Sequence, residues 1–199
     1  MLKNEIRDFI FPVLLLVLCG CVGIGAPILS PELNAKNAEA LINHGRPLPA
    51  ESLIEVTIER SKKKNDEIGL AIAYGAYAGF LQSRTVTEWR EYYEKNGFID
   101  SSVNFENRNE KAREYWQKAL DLYIKNAEYA RASNVYINLA SLDFFEFENK
   151  QAACQDIALS LQYHNQFKET HPGETVVLPE GIATFDDFIE AAKKQLECE

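Results

Sequence analysis

An all-α protein of antiparallel helical hairpins, closed by a carboxy-terminal capping helix, is what the sequence predicts. From Asn34 onward, apolar residues recur at the three- and four-residue spacing of a helix face almost throughout. No stretch shows the apolar–polar alternation of a half-buried strand. Breaks at His44-Gly45-Arg46-Pro47, Asn96-Gly97 and His171-Pro172-Gly173 cut the chain into helix-sized pieces. With 46% apolar residues among 199, the chain can bury a real core and is not disordered. Its net charge of −9 argues against nucleic acid, which needs Lys and Arg to replace phosphate counterions.

The elements follow in order. Asn34–Asn43 is expected as a short helix, and Ala50–Lys63 as a second that ends in Lys62-Lys63-Lys64. Asn65 can cap a third over Asp66–Ser83, with acidic residues in the first turn where the helix dipole favours them. Thr87 can cap Glu88–Lys95, which Asn96-Gly97 stops; residues 97–108 form a loop. Three longer helices are expected over about 109–126, 128–147 and 150–168. Thr184, with Asp187 three residues on, reads as a capping box opening a last helix to about Leu196.

The amino-terminal residues read as an address. From Phe9 to Leu29 no residue is charged, and the dense apolar part, Ile10 to Leu18, suits an export signal but is short for a membrane span of about twenty residues. Leu18-Cys19-Gly20-Cys21 resembles the lipobox of bacterial lipoproteins. The resemblance implies that residues 1–20 are removed and that Cys21 is lipidated. It also implies that residues 21–33, with two Gly and two Pro, form a lipidated tether for a helical hairpin domain over 34–199. Val22 stands where an Asp marks inner-membrane retention in enteric members of that family, which implies the periplasmic face of the outer membrane. Two features depart from the pattern: Glu5 and Asp8 cancel Lys3 and Arg7, and Pro12 sits early in the apolar run. The alternative is an uncleaved inner-membrane anchor over Phe9–Leu29. Gly20, Gly23, Gly25 and Pro27 make the second half of that span a poor helix.

If Cys19 leaves with the signal and Cys21 carries lipid, Cys154 and Cys198 remain, and an even pair in an oxidising compartment suggests a disulfide. The alternative is a small buried hydrophobe at 154 and a free terminal thiol at 198. His44, His164 and His171 show no ligand spacing with either cysteine, so no metal or other cofactor is expected.

Within the helical part, Ala112-x-x-x-Trp116-x-x-Ala119-Leu120 places small residues one turn either side of a large ring, and the arrangement recurs as Ala153-x-x-x-Ile157-x-x-Ser160-Leu161. These strings resemble the second helix of a tetratricopeptide repeat, and Tyr136-x-x-Leu139-Ala140 resembles the first. For the earlier unit, Tyr74-Gly75 hold the corresponding first-helix positions. The chain departs from that family at Asp143, where a Tyr is usual, and the earlier unit carries an insertion of about 25 residues. The resemblance covers roughly residues 68–81 and 109–168. It implies a stack whose first helices line a partner-binding groove.

On that reading Arg131, Asn134 and Asn138, which share one helix face, are candidate groove residues; a solvated polar face is the alternative. Phe144, Phe145 and Phe147 cannot all point one way, nor can Trp89, Tyr92 and Tyr93. Some aromatic surface is therefore expected to be exposed, with Trp89, Phe144 and Phe145 as candidate contacts. Gly75 and Gly79 sit four apart in a fourteen-residue apolar run, which fits a tightly packed central helix. Neither a G-x-S-x-G elbow nor a Gly-rich phosphate loop is present, and no enzyme activity or small-molecule substrate is expected. The expected role is a lipid-anchored adaptor or assembly factor of an envelope complex that binds other envelope proteins. The alternative is an inhibitor or immunity lipoprotein whose acidic charge suits a basic toxin or hydrolase. A ligand-binding role would require an aromatic-lined cavity.

Overall fold

The structure, a computed structural model, describes residues 29–198. The expected signal residues 1–20, Cys21 and the start of the expected tether lie outside the described residues. The elements are α1 (Pro31–Asn43), α2 (Pro47–Lys64), α3 (Glu67–Gln82), α4 (Arg84–Glu88), α5 (Arg90–Asn96), α6 (Arg108–Lys125), α7 (Tyr129–Phe145), α8 (Lys150–Thr170) and α9 (Phe185–Gln195). No strand occurs among the described residues.

The helices pair as hairpins and the hairpins stack. α1 packs with α2, α3 with α6, and α7 with α8; α2 contacts α3, and α6 contacts α7, so the second helix of each hairpin abuts the first helix of the next. α1 also touches α3, and α9 lies on α8 as the final cap. This is the all-α, tetratricopeptide-like stacking that the repeat strings imply, extended by a first hairpin, α1–α2, that they do not signal.

Several boundaries differ from the sequence reading. α1 starts at Pro31, inside the expected tether, because Ser30 Oγ accepts the Leu33 N–H (3.3 Å) and Pro31 occupies the first turn. Proline lacks only an N–H that the first turn cannot use, so it opens this helix as Pro47 opens α2. Asn65 closes α2 in a left-handed conformation (φ 54°), its N–H reaching the Lys62 carbonyl, and it is Asp66 that caps α3 by accepting the Gly69 N–H at 2.8 Å. A Cβ on Gly69 would collide with the Asp66 carboxylate and the Pro31 ring; glycine there lets the start of α1 lie against α3. Thr87 caps nothing: Ser83 caps α4 by accepting the Val86 N–H, and the break falls at Trp89. The capping box between Thr184 and Asp187 is formed.

The repeat strings supply the packing. Ala112, Trp116, Ala119 and Leu120 are all buried, as are Ala153, Ile157 and Ser160. The Trp116 ring lies where a Cβ on Gly75 would come within 3.1 Å, and its Nε1 donates to Gln82 Oε1 at 2.6 Å. Ser133 on α7 donates from Oγ to the Ser160 carbonyl (2.9 Å), so small hydroxyl residues bring α7 and α8 together. Asp143, the departure from the repeat pattern, is buried and pairs with Arg113 of α6, whose guanidinium covers the Phe147 ring.

Residues 83–107 are stitched to the stack. Thr85 Oγ1 donates to the Ile42 carbonyl (2.8 Å), Phe98 stacks on Tyr93 (4.3 Å), and Tyr115 donates to Asp100 (2.7 Å). The Ile99 N–H and the Tyr77 hydroxyl donate to the buried Glu51 carboxylate at 2.7 and 3.3 Å. Burial raises the Glu51 pKa despite those donors. Cys154, in the first turns of α8, is disulfide-bonded to Cys198, just beyond α9, and this ties the cap to the last hairpin.

Candidate functional site

The first helices of the hairpins, α1, α3 and α7, together with α9, line one continuous surface. Its first part is a cleft of about 490 Å³ between α1, α3 and α7. Gly75, Ala76 and Gly79 of α3 form a floor almost without side chains, and Trp116 lies beneath it. Asn134 and Asn138 of α7 stand on one wall; Lys36, Glu39 and Asn43 of α1 stand on the other. One cation and one anion leave this cleft without net charge of its own.

Asn138 Nδ2 donates to the Asn134 carbonyl at 2.8 Å, a bond within the helix that leaves its Oδ1 without a hydrogen bond among the described residues. Among the described residues no hydrogen bond engages the Asn134 side chain, so it can donate and accept at once. A floor of small residues lets an extended chain approach closely, and amides can pair with both its N–H and its C=O groups.

Beyond α7 the surface continues into two further cavities, of about 440 and 420 Å³, under the extended segment 175–180 and beside α9. Asn134 borders both the cleft and the first cavity; Ile137, Pro179 and Phe188 border both cavities. Sequence reasoning missed this half. Its roof has no periodicity, and no motif in the sequence singles out Phe185 or Phe188.

The expected site residues separate. Asn134 and Asn138 share the cleft, but Arg131 does not line it: its Nε pairs with Glu128 (3.2 Å) and its Nη2 with Glu32 of α1 (3.8 Å), tying α7 to α1. Phe145 is 56% exposed and stands at the mouth of the second cavity. Phe144, expected at a partner surface, packs instead between α8 and α9 in the cluster of Ala140, Ala153, Ile157 and Ile189. Trp89 is exposed on the α4–α5 corner against Tyr92 (ring centroids 5.8 Å), away from the cleft walls.

Among the described residues, no three His, Cys, Asp or Glu side chains are grouped so as to hold a metal ion, and no helix is long and apolar enough to cross a membrane. No family model, curated protein or solved structure matches the chain.

Proposed function

We propose that this chain is an interaction module of the bacterial envelope, anchored by lipid on Cys21 at the periplasmic face of the outer membrane, and that it serves as an adaptor or assembly factor for an envelope complex. The cleft between α1, α3 and α7 grips an extended segment of a partner protein. The observation that carries this reading is the pairing of a small-residue floor, Gly75, Ala76 and Gly79, with the amides of Asn134, Asn138 and Asn43 on facing walls. The lipobox-like Leu18-Cys19-Gly20-Cys21 supports the anchoring. More than one acyl chain on a mature amino terminus gives firm tethering, where a single chain is marginal.

Gly79→Trp tests the cleft. A Cβ at Gly79 meets nothing within 4 Å, so the variant folds while its ring fills the groove. In pull-downs from membrane extract, the wild-type chain is expected to bring down several components of one envelope machine, and the variant to lose them with unchanged circular dichroism. Equal capture by the variant refutes the cleft. Capture of a single soluble toxin or hydrolase favours the inhibitor reading.

A further inference from the structure

Residues 172–198 form an arm that returns to the last hairpin, attached to it by apolar contact and one covalent bond. Among the described residues, the arm's hydrogen bonding to earlier residues is the local turn from the Glu174 N–H to the His171 carbonyl. Its side-chain bonds, such as the Thr184–Asp187 capping box, stay within it. One ion pair crosses to the stack, Lys150–Glu197 at 3.6 Å, and both of its side chains are exposed, so it is worth little. Within the arm only Ile189 and Leu196 are fully buried; Phe185 stacks on His164 at 3.8 Å, and Phe188 is half-buried. Two cavities, of about 440 and 420 Å³, separate parts of the arm from α7, so the contact is incompletely packed.

Such contacts do not hold a chain segment down by themselves. Ordering each residue costs conformational entropy, and two buried aliphatic side chains with two partly covered rings offset only part of it. α9 spans 11 residues, and an isolated helix shorter than about 12–15 residues is marginal in water. The hairpins are joined otherwise: Ser133 bonds to Ser160 across α7 and α8, and Arg113 pairs with buried Asp143 across α6 and α7. What keeps the arm in place is the Cys154–Cys198 bond. It fixes the far end of the arm to the first turns of α8 and so holds the arm at high local concentration against that surface. Neither cysteine is fully buried, so the bond is open to thiol–disulfide exchange.

We propose that the arm is a redox-released strap: reduction of Cys154–Cys198 by a dithiol frees residues 172–198 from α7 and α8 while the hairpins stay folded. A thiolate of the dithiol attacks one sulfur and forms a mixed disulfide; the other cysteine leaves as a thiolate and takes up a proton. The second thiol of the reductant then closes its own disulfide and releases the first cysteine. Two electrons and two protons pass in all from the dithiol to the cysteine pair. Release uncovers Ile137 on α7. Because Asn134 borders both the cleft and the first cavity under the arm, release also lengthens the groove past that residue. That consequence rests on the groove reading; the release itself does not.

The test is hydrogen–deuterium exchange of the detergent-solubilised full chain, read by mass spectrometry in reduced and in oxidised dithiothreitol without denaturant. In the reduced sample, peptide mapping should find free thiols at Cys154 and Cys198. The α9 amides should there lose protection about a hundred-fold, the scale of a disulfide's contribution. Protection in α3 and α6 should be unchanged. The double variant Cys154→Ser, Cys198→Ser should behave like the reduced chain in either buffer. The strap is overturned if α9 stays protected after reduction, if α3 and α6 lose protection with it, or if the bond resists the dithiol in the folded protein. It is equally overturned if the double variant keeps α9 protected. Gly79→Trp should leave the release unchanged, so loss of partner capture by that variant bears on the cleft and not on the strap.

Discussion

The seat of Trp116 against Gly75 gives the most direct test of why α3 and α6 pack as they do. Glycine in a helix interior costs about 1 kcal/mol relative to alanine. Gly75→Ala should therefore stabilise α3, were it not that the new methyl would sit 3.1 Å from the indole, closer than carbon atoms pack without adjustment. In the wild-type background the two effects oppose, and the substitution is expected to be neutral or destabilising. Trp116→Leu withdraws the ring and costs about 2 kcal/mol, roughly half of a full truncation to Ala. In that background Gly75→Ala should recover about 1 kcal/mol. The coupling between the two sites is thus about 1 kcal/mol, within the range for residues in contact. Urea titration of the detergent-solubilised chain, followed by far-UV circular dichroism, measures all four corners of the cycle. Calorimetry should place Trp116→Leu about 4–8 °C below wild type for a chain of this size. If Gly75→Ala has the same effect in both backgrounds, the ring is not seated against Gly75 and the small-residue account of this hairpin fails.

Other consequences are equally concrete. Replacing Cys154 and Cys198 by Ser opens a loop with a sequence separation of 44 and should cost about 3–4 kcal/mol in urea titrations; unchanged stability, or two free thiols by mass spectrometry of the non-reduced protein, would count against it. Asp156 is pushed up to about 6 by burial, only partly offset by Arg113, and burial also raises Glu51 and Glu55. Folded pKa values above the unfolded ones mean that these three carboxyls hold more protons in the native state, so their contribution to stability rises as pH falls from 7 toward 5, while His164, whose pKa burial lowers, contributes in the opposite sense. Asp156→Asn should add about 1 kcal/mol at pH 7.5, a figure discounted for partial exposure, and this gain should shrink as pH falls from 7 toward 5; a gain that grows instead contradicts the sign. Cys21→Ala should move the protein from the membrane fraction to the soluble one; retention favours the uncleaved anchor.

Legibility differed from element to element for physical reasons. Ala112, Trp116 and Ala119 announced their packing because a helix brings residues three and four apart onto one face, so local spacing encodes which side is buried. Thr184 and Asp187 announced their cap because both partners lie within one turn. Pro31 and Pro47 were misread because proline stops a helix interior and opens a first turn equally well, and local sequence does not say which applies. Of the candidate groove residues, Asn134 and Asn138 came together because they share a face with the cleft. Arg131 shares that face too, but a longer side chain and Glu32 on a distant helix drew it into an ion pair.

Helical class, the hairpin strings, the final capping box and the −9 charge were settled by residues within a turn or two of one another, or by composition alone. The pairing of Asp143 with Arg113, the buried Glu51 beneath Ile99, and the cleft between α1, α3 and α7 were decided only when the chain folded. Each depends on groups tens of residues apart, and one-dimensional spacing carries no record of which distant surfaces meet. Helix faces are written locally, whereas the hollows between helices belong to the stack.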